Sequence, residues 1–250
     1  MTTVGRRPHI LSATIRRILL QLRHDRRTVV MIIGVPVMLI ALLYFMFKNV
    51  PAEFNSVTLT MLAVFPFIIM FLLTSIAMLR ERTSGTLERL MTTPTRTVDL
   101  LFGYGIAFGA VAAVQAAVTC ACAYWLLGLS TAGGAEYVVL VAVLTALLGV
   151  GLGLLCSAFA RTEFQAVQLL PVIVIPQILL CGLFVPRPAM AGWLEIVSDV
   201  MPLSYAVEAC GQVGRHVEPT GLLWRDLAVM AGCVLIALLL ASATLRRRTD

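Results

Sequence analysis

Uncharged, mostly apolar windows recur six times along the chain, at 28–47, 54–79, 100–127, 137–160, 164–185 and 227–245. Each is close to the length of about 20 residues that an α-helix needs to cross a hydrocarbon layer. The uncharged stretch from 100 to 135 is too long for one span. Gly128 and the Gly133-Gly134 pair mark where helix gives way to loop. Ahead of the first window, residues 10–24 place Ile15, Ile18, Leu19 and Leu22 at helical spacing, with Arg16, Arg17 and Arg23 on other faces. That pattern predicts an amphipathic helix lying in the membrane interface, with a solvated basic tail as the alternative. The predicted fold is an all-α integral membrane protein of six spans, treated as one transmembrane domain over 1–250.

Composition agrees with the pattern. Of the 250 residues, 60% are hydrophobic and 13% charged, which excludes a water-soluble domain, since soluble chains carry about a quarter charged residues. A basic region before an apolar run resembles a signal peptide in outline. Here that region is 27 residues long and no small-residue cleavage site follows the run, so the first span is expected to stay attached. Five of the six cysteines (Cys120, Cys122, Cys156, Cys181 and Cys233) lie within apolar stretches and only Cys210 lies outside them. They read as small packing residues before metal ligands or disulfides.

Charge sets an orientation. Six spans place both termini on one side, and that side gathers fifteen of the nineteen basic residues, whereas Lys48, Arg187, Arg215 and Arg225 lie on the other. With the acidic residues included, the two sides carry +9 and −3. The positive-inside rule makes the first side cytoplasmic. The basic residues cluster between spans and do not form a polar face, so the expected contact is lipid bilayer and not nucleic acid.

Catalytic constellations are absent from the sequence. His9, His24 and His216 are scattered over both sides and give neither zinc nor triad spacing. The run 149–153 (GVGLG) lies inside a span with no Lys-Ser/Thr after it, so it reads as close helix packing and not as a phosphate loop. No span carries an ionisable residue near its middle. Proton-coupled carriers and voltage sensors depend on such residues, so any transport by this chain needs energy from a partner subunit.

Two polar segments have more pattern than a connector requires. The first, 80–97, begins RERTSGTLERLMTTP. Thr83 or Ser84 is a possible helix cap, Leu87, Leu90 and Met91 fall at i, i+3 and i+4, and Pro94 lies where a helix would stop. A short amphipathic helix and a solvated loop both fit. The second, 186–225, holds two short helix candidates, 189–199 with Trp193 as interfacial anchor and 204–212 with Ser204 as N-cap, separated by Pro202. These either dip into the outer leaflet and plug a pathway or form a surface cap.

The order of spans, the RERTSGTLERLMTTP segment after the second and GLFVPRPAMAGWLEIVSDVMPLSYAVEA after the fifth resemble type-2 ATP-binding-cassette (ABC) exporter permeases, particularly the daunorubicin-resistance-like branch. The resemblance covers almost the whole chain. It implies that the first segment is a coupling helix against a nucleotide-binding subunit, carried by Arg80, Glu81, Arg82, Gly85, Thr86, Leu87, Glu88, Leu90 and Pro94, with Met91 completing the apolar face. It implies exofacial re-entrant helices with Pro186, Trp193, Pro202 and Tyr205 at recurring positions. It further implies a bacterial plasma-membrane dimer of identical or related permeases, served by two separate ABC ATPase subunits that bind ATP and magnesium, with no cofactor on this chain.

In such permeases the cargo path is lined by spans two and five. The corresponding residues are Phe65, Phe67 and Phe71, then Pro176, Gln177 and Leu180. Phe67 and Phe71 share a helix face, which suits a pocket or ordinary packing. Pro66, Pro171 and Pro176 are candidate kinks. The expected function is export of a hydrophobic or amphipathic drug or natural product by alternating access. The alternatives are export of a polysaccharide or lipid-linked glycan, and a structural membrane subunit without transport.

Overall fold

The chain begins, where it is described, with a helix that turns a corner into the first span. The computed structural model describes residues 7–84 and 97–246, and all regular structure among them is helical. Helix α1 (Arg7–His24) leads into α2 (Arg26–Met46). Asp25 caps α2, its carboxylate accepting the Thr28 N–H at 3.2 Å and the Thr28 hydroxyl at 2.6 Å. That hydroxyl, more than any other group, holds the Asp25 carboxyl below its ordinary pKa.

Helix α3 (Pro51–Thr83) opens on Pro51, whose missing N–H is no loss in a first turn. Helix α4 (Thr97–Ala121) widens into a π-helical turn (Cys122–Leu126) before the loop at Gly128. Helix α5 (Ala135–Cys156) and α6 (Glu163–Leu180) follow. Then come a 3₁₀ turn (Arg187–Ala189), the short α7 (Gly192–Val200), α8 (Pro202–Arg215) and the last span, α9 (Gly221–Arg246). Among the described residues six helices are long and apolar enough to cross a membrane: α2, α3, α4 with its π turn, α5, α6 and α9. This is the multi-pass membrane fold that the six apolar windows predict.

The centre of the bundle is α3 against α5, the most extensive helix–helix contact. The glycine run makes it possible. A Cβ on Gly149 would lie 2.4 Å from the Phe67 carbonyl oxygen, and one on Gly153 would lie 2.6 Å from that of Phe71. Backbone therefore meets backbone there, as small residues permit between membrane helices. The six cysteines are all free thiols; Cys210 is buried, as are Cys120, Cys156 and Cys181, while Cys122 and Cys233 are partly exposed.

Helix α1 lies on protein. Ile18 is buried, with Ile15, Leu19 and Leu22 partly so, against Met78 of α3 and Tyr104, Ala107 and Phe108 of α4. Arg16 and Arg23 are exposed as the periodicity predicts, but Arg17 turns inward. Its Nη2 donates to the Tyr104 hydroxyl at 2.5 Å.

Three boundaries differ from the sequence expectation. Helix α9 starts at Gly221, six residues before the apolar window, and takes Arg225 and Asp226 into its first turns. Helix α7 starts at Gly192 and not at 189, because 187–189 are used in the 3₁₀ turn. Helix α8 starts at Pro202 and runs to Arg215, so Ser204 is inside the helix and is not its cap. Proline suits the first helical position because its φ is already set. The prolines at 66, 171 and 176 all lie within continuous helices.

Candidate functional site

Among the described residues the charged groups collect at the two ends of the bundle. The end that holds Arg17, the close of α3 and the start of α6 is rich in arginine. Arg80, Glu81 and Arg82 are expected to belong to the coupling segment, and they form the last turns of α3, where cations suit the helix dipole. Ser84 closes that helix, its N–H donating to the Arg80 carbonyl at 2.9 Å. Arg80 forks onto Glu163 at the start of α6, Nε to Oε1 at 2.8 Å and Nη2 to Oε2 at 3.0 Å. Glu81 faces inward and lies 3.5 Å from Arg17. The remaining coupling candidates, Gly85, Thr86, Leu87, Glu88, Leu90, Met91 and Pro94, lie outside the described residues.

The path candidates separate into two groups. Phe67 and Phe71 are 0% exposed, their ring centroids 6.4 Å apart, and both are enclosed in the apolar core between α3 and α5. Phe65 is half-buried. On α6, Gln177 is buried and its Nε2 donates to the Ile173 carbonyl at 3.2 Å, while Leu180 is half-buried and Pro176 exposed. The outer face of α6 presents Phe164, Gln168, Pro171, Ile175 and Leu179 at helical spacing, all exposed. That stripe is absent from the sequence expectation. The helix is apolar almost all round, so hydrophobicity alone does not say which side lacks a neighbour.

At the opposite end the chain leaves α6 through Gly182, whose φ of +92° is a conformation that favours glycine. Pro186 is exposed and opens the 3₁₀ turn, and Trp193 projects from α7 with 68% exposure. Arg187 fastens the next two helices. It pairs with Asp199 at the end of α7 and with Glu208 on α8 at 2.7 Å, and its guanidinium lies 5.6 Å from the Tyr205 ring centroid. Tyr205 in turn donates to the Asp199 carbonyl at 2.7 Å. Arg225 bridges Glu208 at 3.3 Å and buried Asp226 at 2.8 Å, which brings α9 into the network.

Beneath this network Ser198 donates to the Leu180 carbonyl at 2.7 Å, and Ser204 lies 3.5 Å from the same oxygen. Beside it a cavity of about 950 Å³ is lined by Asn55, Ser56 and Thr60 of α3, Glu208 and Arg215 of α8, Arg187 and Arg225. This cavity is a vestibule at that end of the bundle; Pro202 starts α8 and Tyr205 holds Asp199 and Arg187 beside it, and neither lines it. The sequence shows no local sign of the partnerships of Arg17, Glu163 and Ser198, since each depends on a residue distant in the chain.

A bundle with six helices long and apolar enough to cross a membrane is the architecture of a multi-pass membrane protein. Residues 9–212 match the model of the ABC-2 type transporter family, and the chain belongs to that family. It is 29% identical over 156 residues to the probable multidrug ABC transporter permease YbhR of Escherichia coli K12, covering 62% of this chain and 42% of that protein. It is 26% identical over 157 residues to ABC transporter G family member 20 of Dictyostelium discoideum, covering 63% of this chain and 21% of that one. With the linearmycin resistance permease protein LnrN of Bacillus subtilis 168 it shares 24% identity over 135 residues, covering 54% and 35%. The matched region is less than half the length of each of these relatives.

Proposed function

We propose that the chain is the permease subunit of an ATP-driven exporter in a bacterial plasma membrane, with its arginine-rich end and both termini in the cytoplasm. ABC ATPase subunits carrying ATP and magnesium dock on segment 80–97, and a second permease, identical or related, completes the path by which the pair alternates access. The observation that carries the reading is α3. Its 33 residues form one helix, about 50 Å long at 1.5 Å per residue, against about 30 Å of hydrocarbon. It joins Arg80 at one end to the vestibule residues Asn55, Ser56 and Thr60 at the other. A displacement at the ATPase end therefore has a continuous element through which to reach the exit.

The cargo is a hydrophobic or amphipathic drug or natural product. Two relatives carry multidrug and linearmycin resistance in their names. The described lining of the vestibule contains no aromatic ring on which a sugar could stack, which favours this cargo over a glycan. Pull-down of the permease from native membranes should bring an ABC ATPase with it, identified by mass spectrometry. Proteoliposomes of the pair should move ethidium only with hydrolysable ATP. A permease that purifies alone, or ethidium movement without ATP, would overturn the proposal.

Orientation has its own expected result. In a background without native cysteines, Asn49→Cys, Thr131→Cys and Glu218→Cys should react with an impermeant thiol reagent on intact cells. Thr83→Cys and Thr162→Cys should be protected. Labelling at Thr83→Cys reverses the orientation and removes the ATPase site with it.

The path runs along the open face of α6, with Phe65 and Pro176 at its margin and Phe67 and Phe71 supporting α3 from behind. Ile175→Ala and Leu179→Ala should reorder the relative resistance to different drugs, since a hydrophobic pocket discriminates by about 1–3 kcal/mol per methylene-sized feature. Phe67→Ala and Phe71→Ala should instead lower stability by about 3–5 kcal/mol each, as large-to-small core changes do. Drug profiles and thermal unfolding of the four variants check this, and reordering confined to the phenylalanine variants would place the path on the other side of α3.

A further inference from the structure

Arg80 and Glu81 are consecutive on α3, yet they hold opposite neighbours. Glu81 turns into the bundle, where its carboxylate lies 3.5 Å from Arg17 and Arg17 also donates to Tyr104. Arg80, about 100° further round the helix, turns outward. It meets Glu163 through two parallel hydrogen bonds of 2.8 and 3.0 Å. A bidentate fork fixes direction as well as distance, because both planar groups must keep their alignment.

Each partner stands on a firm local base. Arg80 is in the last turns of α3. Glu163 is in the first turn of α6, where the Thr162 hydroxyl accepts the Gln165 N–H at 3.2 Å and the Gln165 side chain accepts the Arg161 N–H at 2.8 Å. Elsewhere α6 is lightly held. It packs chiefly on α3, and its outer face is exposed. Segments with few packed neighbours are those that move within a native structure. At its far end the Leu180 carbonyl is held by Ser198, so movement of α6 carries to the short helices α7 and α8.

The Arg80–Glu163 pair is exposed, 63% and 52% at the two side chains. Exposed pairs contribute little to stability, because water screens them and two long side chains must be ordered. The fold does not depend on it, and what it does supply is a directed connection between the ATPase end of α3 and the start of α6.

We infer that Glu163 is a positioning residue for transport: through Arg80 it ties α6 to the root of the coupling segment, so that displacement there draws α6 and the vestibule helices with it. This rests on the exporter reading and adds a residue outside the coupling segment to it. The test uses the permease–ATPase complex in proteoliposomes, with ethidium uptake and ATP hydrolysis measured together. Glu163→Gln should keep the thermal unfolding temperature and ATPase association of the wild type. It should lower ethidium moved per ATP by about fivefold, the low end of typical coupling between sites. Glu163→Asp should recover part of the loss, and Arg80→Glu combined with Glu163→Arg should transport better than either single change.

A wild-type transport ratio in Glu163→Gln overturns the inference and leaves the exporter reading intact. So does a loss of transport that follows a fall in unfolding temperature, or a charge swap no better than the worse single variant. Wild-type vesicles that do not couple ethidium to ATP overturn both.

Discussion

Gly149→Ala is expected to destabilise the bundle more than any other single-methyl addition in the spans. The new Cβ would stand 2.4 Å from the Phe67 carbonyl oxygen and 3.1 Å from the Phe71 nitrogen. Both are backbone atoms of α3, so no side chain can rotate away, and the two central helices must separate. Overpacking of this kind costs about 1–3 kcal/mol, and more where the obstacle is rigid. Because α3 and α5 organise the remaining helices, the cost should appear as a lower unfolding temperature in detergent and a smaller yield of inserted protein. Gly232→Ala is the control, since nothing lies within 4 Å of a Cβ at that position. There the exchange should be neutral or stabilise α9 by up to about 1 kcal/mol. Equal melting of the two variants would mean that the helices do not meet at Gly149.

Arg187→Ala is expected to loosen the vestibule helices while leaving the spans intact. The guanidinium, 17% exposed, pairs with Asp199 and Glu208 and covers the Tyr205 ring. Its removal leaves Glu208 with Arg225 alone and frees the end of α7. Breaking a fully buried pair costs about 3–5 kcal/mol. Asp199 is 54% exposed and solvent screens its share, so about 2 kcal/mol is the expected loss. Amide hydrogen exchange should quicken across 192–215 and stay unchanged in α3 and α5. Unchanged exchange across 192–215 would show that the serine contacts to Leu180 suffice to hold these helices.

The spans were legible because hydrocarbon imposes a length and a composition that few other segments share. Their edges were less so. Arg225 and Asp226 look like loop residues in sequence, yet both enter α9, where Asp226 is buried beside Arg225 and joined through it to Glu208 on α8. The pairing that admits them lies seventeen residues back in the chain for Glu208 and further for Arg187. Ser204 has the chemistry of an N-cap, but Pro202 takes the first helical position and leaves the serine free to reach Leu180. Periodicity put Phe67 and Phe71 on one face correctly. That this face meets Gly149 and Gly153 is a tertiary fact, although the small-residue run announced that some backbone would come close.

Helix α6 has 18 residues, about 27 Å at 1.5 Å per residue, slightly short of a hydrocarbon layer about 30 Å thick. Exposed Phe184 and Val185 continue its apolar surface after the helix has ended. A helix that stops before the lipid does would leave carbonyl oxygens at a depth without water, where each costs several kcal/mol. The hydroxyls of Ser198 and Ser204 at the Leu180 oxygen stand in for that water. They satisfy the last carbonyl of α6 from two residues that follow it in the chain, and so let the backbone leave helical form there and turn into α7 and α8 without an orphaned acceptor.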